Sequence, residues 1–447
     1  MRNSYQAALD YLYRFTDYEK QSGYIYSPDR FNLARVRQLL ALLGDPHCTF
    51  QSVHIAGTKG KGSTAAMIAS ILQQAGYRTA LYTSPHLHTL RERIQVDGEM
   101  ISEADVVAGV ERLKAVEQVP EITTFELITA LAFDYAARQK AELAVLEVGM
   151  GGRLDATNVV TPMVSVITSI SYDHMMYLGD TLGKIAAEKA GIIKPGVPVV
   201  SAPQVQEAER VIEHIAAQRN APLTWVGRDW CWQSIRTATK GQQFAAWPSS
   251  DLPSKQTYSL PLLGRHQQIN ATTALATIGQ MRAQGMPIAD QAIHVGMRTV
   301  HWPGRLEVLD RRPWVIVDGA HNGDSMQKLR TALQELFPYT KLILVLGISA
   351  DKDIVAMLDA ILPAADQVLV TQARHPRAIA PGALAERIAA RGTRVQTVPI
   401  EQAVDTALRL ANEDDLICAT GSLFLVADFK ATWLKHNQKP LPPSDTK

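Results

Sequence analysis

The stretch that most constrains this chain is Val53-His54-Ile55-Ala56-Gly57-Thr58-Lys59-Gly60-Lys61-Gly62-Ser63-Thr64. An apolar, β-branched run ends in a glycine-rich turn that carries two lysines and hydroxyls. A helical pattern follows at once, through Ala65, Ala66, Met67, Ile68, Ile71 and Leu72. Strand, glycine turn, lysine and helix make the build of a nucleotide-phosphate cradle. Backbone N–H groups line such a turn, and the helix N-terminus adds partial positive charge. Glycine lets the backbone approach the phosphates, and Lys61 reaches toward the β/γ oxygens. The usual expression G-x-x-x-x-G-K-[ST] needs glycine where Ile55 stands and a hydroxyl where Gly62 stands; here the hydroxyls come one place late, at Ser63 and Thr64. An ordinary glycine turn is the plain alternative, but Gly57, Gly60, Gly62 and two lysines together favour phosphate. Taken alone, the turn suits a kinase, a GTPase, a motor or a ligase.

With 447 residues the chain is too long for one ordinary core, so two α/β domains are expected. Hydrophobic residues at 46% and charged residues at 20% place it among soluble globular proteins. A net charge of +1, without basic or acidic blocks, argues against a nucleic-acid surface or a lipid-binding face. Cys48, Cys231 and Cys418 are scattered and odd in number, so neither a disulfide framework nor a C-x-x-C site is available and a reducing cytoplasm is expected. No stretch approaches the ~18 apolar residues of a membrane span, and Met1 to Gln6 has no apolar signal region.

Along the chain, residues 4–15 read as a short amphipathic helix, and Ser27-Pro28 as the cap and first residue of a helix running through Phe31, Val36, Leu39, Leu40 and Leu43 to Gly44. After the glycine turn come helix 64–75, strand 79–82, a polar loop with Arg91, Glu92 and Arg93, and helices near 102–117 and 123–139. Leu143-Ala144-Val145-Leu146-Glu147-Val148 is a continuous apolar run ended by a carboxylate, the signature of a buried parallel strand. A glycine-rich loop to Asn158, strand 163–168, helix 180–190, strand 197–201 and helix 205–219 follow. Residues 223–262 read as a small β meander at the sheet edge, and 266–284 and 289–298 as helices. The organisation expected is an ATP-binding domain over 1–298, a linker over 299–306 and a second domain over 307–447. In the second domain strands 314–317, 341–346, 367–370, 394–397 and 416–419 alternate with helices, which predicts a smaller, doubly wound Rossmann-like sheet.

The glycine turn, Ser84, Glu147 and His174 all fall just beyond strand C-termini, the edge where open α/β sheets collect ligands. A hydroxyl, a carboxylate and an imidazole there suit magnesium held between protein and ATP phosphates. Singly, Ser84 before Pro85 also reads as a turn former, Glu147 as a helix cap and His174 as a loop hydrogen-bonder. Lys189 reads as a solvated helix lysine.

Several of these segments resemble a known family. Gly57 to Ser63, Thr83-Ser84-Pro85-His86-Leu87, the run from Leu146 to Asn158, Ser171-Tyr172-Asp173-His174, Glu188-Lys189-Ala190-Gly191, Trp302 to Glu307 and Asp318-Gly319-Ala320-His321-Asn322 are similar to the folylpolyglutamate synthase/dihydrofolate synthase family of the Mur ligase superfamily. The resemblance covers nearly the whole chain, in the family's order, and implies an α/β P-loop Mur-ligase-type domain followed by the Rossmann-like one. It implies an ATP-dependent carboxylate–amine ligase that adds L-glutamate to dihydropteroate or to a reduced folate through an acyl phosphate. A monofunctional folylpolyglutamate synthase, another Mur-type amide ligase and, from a different class, a P-loop kinase or GTPase are the alternatives.

The resemblance also implies roles. Gly57, Thr58, Lys59, Gly60, Lys61, Gly62 and Ser63 would cradle the ATP phosphates; Ser84, Glu147 and His174 would bind magnesium. Lys61, His174 and Lys189 form the implied catalytic group, Lys189 standing where the family often carries a carbamylated lysine. Asn270 matches an adenine contact, Arg305 a phosphate contact, Asp318 a second-domain nucleotide contact, and His321 lies near it. Thr123, Leu154, Asp155 and Ala156 would meet the pterin, with Phe125 an aromatic candidate or a core residue. ATP and Mg²⁺ are the implied cofactors, a monovalent cation an additional one, and a cytoplasmic monomer is expected. The chain departs from the family pattern at Gly323, where proline is usual, and at Phe31-Asn32-Leu33, where Leu-Gly-Leu is usual.

Overall fold

A computed structural model describes residues 2–17, 31–115 and 119–445. The chain divides into two compact units. The first comprises residues up to Ile235, Gln243–Leu260 and Gln267–Val300; the second comprises Arg236–Gln242, Pro261–His266 and His301 onward.

The first unit is built on eight strands: β1 Gln51–Ala56, β2 Thr79–Tyr82, β3 Ile94–Val96, β4 Glu99–Met100, β5 Leu143–Glu147, β6 Val164–Ile167, β7 Val199–Ser201 and β8 Leu223–Trp225. Their order is β4-β3-β2-β5-β1-β6-β7-β8. From β2 to β8 the pairs are parallel, while β3 and β4 form an antiparallel margin that the sequence reading had as loop. Strand β5 is buried along its whole length, as a central parallel strand covered on both faces must be. Helices α1 Arg2–Tyr13, α2 Leu33–Leu42, α3 Lys61–Gln74, α4 Glu103–Ala115, α5 Thr124–Arg138, α6 Met175–Leu178, α7 Leu182–Ala190, α8 Gln206–Gln218, α9 Arg265–Ala283 and α10 Asp290–Thr299 connect or cover it. Leu12, Leu39, Leu40, Ile101, Val110 and Leu131 pack with Leu146 in one core, and Ile185, Ile192, Val199 and Ile212 in another. Each such fully buried side chain contributes about 1.5–3 kcal/mol.

Two expectations are corrected. Helix α2 begins at Leu33, with Asn32 as its cap: the Asn32 side chain accepts from the Ala34 N–H at 2.8 Å. Ser27-Pro28 lies outside the described residues. The stretch from 223 to 262 is not one meander at the sheet edge. Only β8 joins the large sheet; β9 Trp230–Ala238, β10 Gly241–Pro248 and β11 Gln256–Leu260 form a three-stranded sheet of their own.

The second unit carries β12 Glu307–Arg311, β13 Trp314–Asp318, β14 Leu342–Leu346, β15 Gln367–Val370, β16 Arg394–Thr397 and β17 Leu416–Thr420. The order is β12-β13-β17-β14-β15-β16, parallel except for β12. Helices α11 Gly323–Leu336, α12 Ile354–Ile361, α13 Pro381–Ala389, α14 Ile400–Leu410 and α15 Leu423–His436 alternate with them. Among the described residues no helix is long and apolar enough to cross a membrane.

Candidate active site

Strand β1 lies between β5 and β6, with Ile55 opposite Glu147 and Ala56 opposite Ile167. The loop after β1 therefore opens between the exits of two parallel neighbours. At Gly57 (φ +151°) the backbone runs so close to β6 that a Cβ would overlap the Thr168 hydroxyl. At Gly60 (φ +91°) a Cβ would overlap Asn270 Oδ1. Glycine is thus required twice, for conformation and for room. Gly60 precedes α3 in left-handed backbone and gives the helix no side-chain cap. The first-turn amides of Lys61, Gly62 and Ser63 have no intrahelical partner and form the anion-binding end of the dipole. The amides of Thr58 and Lys59 instead donate to the Ser169 carbonyl, at 2.9 and 3.1 Å, tying the loop to the β6 exit.

Three lysines gather at this loop. Lys61 Nζ stands 3.9 Å from Glu147 Oε1, and the Ser84 N–H donates to Glu147 Oε2 at 3.2 Å. Lys59 Nζ donates to Asp173 Oδ2 at 2.9 Å. Lys189, buried on α7, donates to the Gly57 carbonyl at 2.8 Å. Burial pulls the Lys189 amine down to about 7, with the Lys61 cation the next cause and Asp173 opposing it. His174 has left-handed backbone (φ 52°) and opens the short α6; its N–H donates to Asp173 Oδ1 at 3.0 Å. Asn270 donates to Gln267 Oε1 at 3.0 Å, and Gln267 donates to the Ser63 hydroxyl at 3.3 Å, so α9 is laced to the start of α3.

Of the residues expected to meet a pterin, Leu154, Asp155 and Ala156 lie on the loop that follows β5, and Thr123 lies before it, at the start of α5. Asp155 accepts from the Gly149 and Met150 amides on Oδ2, each at 3.0 Å, and from the Thr157 amide and hydroxyl on Oδ1 at 3.0 and 2.5 Å. Its carboxyl is raised by burial, against the opposing effect of these hydrogen bonds. Ala156 is buried beside it and Leu154 is half-buried. Thr123 caps α5 in a reciprocal box with Glu126, which also pairs with Arg35 at 3.0 Å. Phe125 is half-buried, packed against the core, and would collide with any side chain at Gly149.

In the second unit Asp318 ends β13. Its Oδ2 accepts from the Leu306 amide and its Oδ1 from the Ala320 amide, both at 2.8 Å. Arg305 lies over Gly319, where a Cβ would come within 2.6 Å of its Nη1. His321 Nδ1 is 2.7 Å from the Gly319 carbonyl. A carbonyl only accepts, so Nδ1 carries the proton.

Residues 55–278 match the Mur ligase middle domain, and residues 304–423 match the glutamate ligase domain of Mur ligases. The chain is 34% identical over 432 residues to the dihydrofolate synthase/folylpolyglutamate synthase of Bacillus subtilis, covering 93% of this chain and 99% of that protein. The chain belongs to the folylpolyglutamate synthase/dihydrofolate synthase family. Solved structures agree. The Mycobacterium tuberculosis folylpolyglutamate synthase complexed with ADP superposes with a TM-score of 0.86 at 33% identity, over 96% of this chain and 98% of that one. The Escherichia coli FolC structure with DHPP and ADP gives 0.84 at 28% identity, over 97% and 98%.

Within the family pattern, the departure at Gly323 has a local cause. A Cβ there would come within 3.0 Å of the Ala356 Cβ, so glycine allows α11 and α12 to approach closely. Asn322 still caps α11, in a box with Ser325. Asp173 and Gln267 were absent from the sequence-based site. Asp173 does stand directly before His174 at a strand exit, a signal that was available; Gln267 has no comparable mark.

Proposed function

We propose that this chain is an ATP-dependent ligase that adds L-glutamate to dihydropteroate and to reduced folate polyglutamates, releasing ADP and phosphate. The observation that carries the reading is the convergence of Lys61, Glu147, Ser84 and the open end of α3 at one sheet edge. Two anions must meet there, the substrate carboxylate and ATP, and a lysine with a helix N-terminus offsets their repulsion. The carboxylate attacks the γ-phosphate, and the resulting acyl phosphate is a good electrophile. The glutamate amine then displaces phosphate to leave an amide.

In this reading Gly57 to Ser63 cradle the phosphates, with Lys61, His174 and Lys189 as the catalytic group. Asn270, Arg305, Asp318 and His321 serve the nucleotide, and Thr123, Leu154, Asp155 and Ala156 the pterin. The nucleotide domain is 1–298 and the second domain 307–447. Magnesium fits the donors present. Glu147 offers a buried carboxylate, Ser84 a hydroxyl and His174 an imidazole, while among the described residues no three His, Cys, Asp or Glu side chains group as a cage. Such a partial shell suits an ion that keeps waters and takes phosphate oxygens. When bound, magnesium supplies charge neutralisation at the phosphates.

The test is direct. The protein is incubated with ATP, Mg²⁺ and L-glutamate, with either dihydropteroate or tetrahydrofolate, and the product is weighed by mass spectrometry. Added glutamate on both acceptors supports the bifunctional reading. Addition to tetrahydrofolate alone leaves a folylpolyglutamate synthase, the name borne by the 37% identical Lacticaseibacillus casei relative. Addition to neither overturns the proposal.

A further inference from the structure

His54 sits within β1, two residues before the last, and its side chain is fully buried. Its Nε2 lies 2.8 Å from the Thr157 hydroxyl, which lies 2.5 Å from Asp155 Oδ1. The direction of this chain of hydrogen bonds follows from its far end. Three backbone amides donate to Asp155 and favour its ionised form, in which it only accepts, so the Thr157 hydroxyl gives it the proton. His54 must then donate from Nε2. Nδ1 bears the lone pair, and it is buried without a hydrogen-bond partner among the described residues. Burial, with Lys194 nearby, holds the imidazole neutral, its pKa lowered to about 3. A buried acceptor with no donor destabilises the fold. An apolar side chain would fill the same space without that cost. The one thing the imidazole offers in exchange is its Nε2–H.

We propose that His54 is a positioning residue for the loop 149–158: its Nε2–H aims the Thr157 hydroxyl at Asp155, and the Asp155 carboxylate in turn folds the backbone that presents Leu154, Asp155 and Ala156. The strand that launches the phosphate loop is thereby joined to the acceptor-side loop through side chains 103 and 2 residues apart in sequence. All four lone-pair positions of the Asp155 carboxylate are occupied by protein donors, so its shape depends on every member of the chain. The inference rests on the proposed reading of this loop as the pterin side.

The experiment is steady-state kinetics on His54→Leu, His54→Gln, Thr157→Val, Thr157→Ser and Leu154→Ala, varying the pterin substrate and ATP separately. His54→Leu removes one buried hydrogen bond and Thr157→Val removes two; each is expected to raise the pterin KM by about tenfold or more, with the ATP KM unmoved. His54→Gln, which keeps an N–H, and Thr157→Ser, which keeps the hydroxyl, are expected to restore most of it. If His54→Leu fails to fold, the Thr157 pair gives the same reading. Pterin and ATP KM values rising together, or neither rising, while Leu154→Ala raises the pterin KM, overturns the positioning role alone. An unchanged pterin KM in Leu154→Ala overturns the assignment of the loop to the pterin, and the inference with it.

Discussion

The amine of Lys189 donates a 2.8 Å hydrogen bond to the carbonyl of Gly57, 132 residues earlier, at the first glycine of the glycine-rich turn. The lysine is buried, and its pKa of about 7 lies far below the ordinary 10.5. An unfolded chain therefore holds a proton that the folded chain has lost between those values, and stability rises with pH across that window. Lys189→Met abolishes this slope. Chemical denaturation at about pH 7 and pH 9 is expected to show wild type gaining on the order of 2 kcal/mol more than the variant. The same depressed pKa leaves much of the amine neutral and nucleophilic near pH 7. Turnover is therefore expected to fall in bicarbonate-free buffer and to return with bicarbonate, and the intact mass should reveal a carbamate on Lys189.

Lys61 Nζ stands 3.9 Å from a carboxylate oxygen of the buried Glu147. Lys61→Ala removes the cation proposed to reach the transferring phosphate and should lower kcat/KM by about 10²–10³-fold. Glutamate-dependent ADP release measures this. Unchanged turnover would reduce the loop to a binding module.

Gly60→Ala and Gly76→Ala form a matched pair. Both glycines have φ near +90°, but a Cβ at Gly60 overlaps Asn270 whereas one at Gly76 meets nothing within 4 Å. Each substitution should cost about 1–2 kcal/mol of backbone strain. Only Gly60→Ala should also raise the ATP KM. Urea midpoints and ATP titrations separate the two effects, and equal ATP KM values would contradict the placing of Asn270 beside the nucleotide.

Asp318 joins residues 306 and 320 through its two oxygens. Asp318→Ala strips both acceptors and should destabilise the second unit by about 1–3 kcal/mol. Asp318→Asn, which keeps one acceptor, should lose less. Thermal unfolding reports the order of the two variants.

The second unit was legible because buried parallel strands are unbroken apolar runs, such as Leu342 to Leu346, punctuated by amphipathic helices. Strand β12 was not, because it is a partly exposed antiparallel edge whose sequence, Glu307-Val308-Leu309-Asp310-Arg311, never forms such a run. The brief β3 and β4 failed because three and two residues are too few to make such a run. In the site, Glu147 stood out as the last residue of a strand, whereas His174, read as lying just beyond a strand, comes seven residues after β6 ends, at the start of α6. Lys189 read as a solvated helix lysine, since its burial arises from the packing of α7 and leaves no local trace. The pairing of Lys59 with Asp173 spans 114 positions and has no pattern in the linear chain.

The alignment of β1 with β5 fixes more than neighbourhood. A one-residue slip would turn Glu147 to the opposite face of the sheet, and a two-residue slip would carry it about 6.6 Å along the strand. Either displacement exceeds what the Lys61 side chain, now 3.9 Å away, can follow without leaving the phosphate loop. The spacing between cation and carboxylate is thus quantised, adjustable only in steps too coarse to be useful. Finer adjustment is left to the loops beyond the strand ends, which can change by a single residue without moving the register.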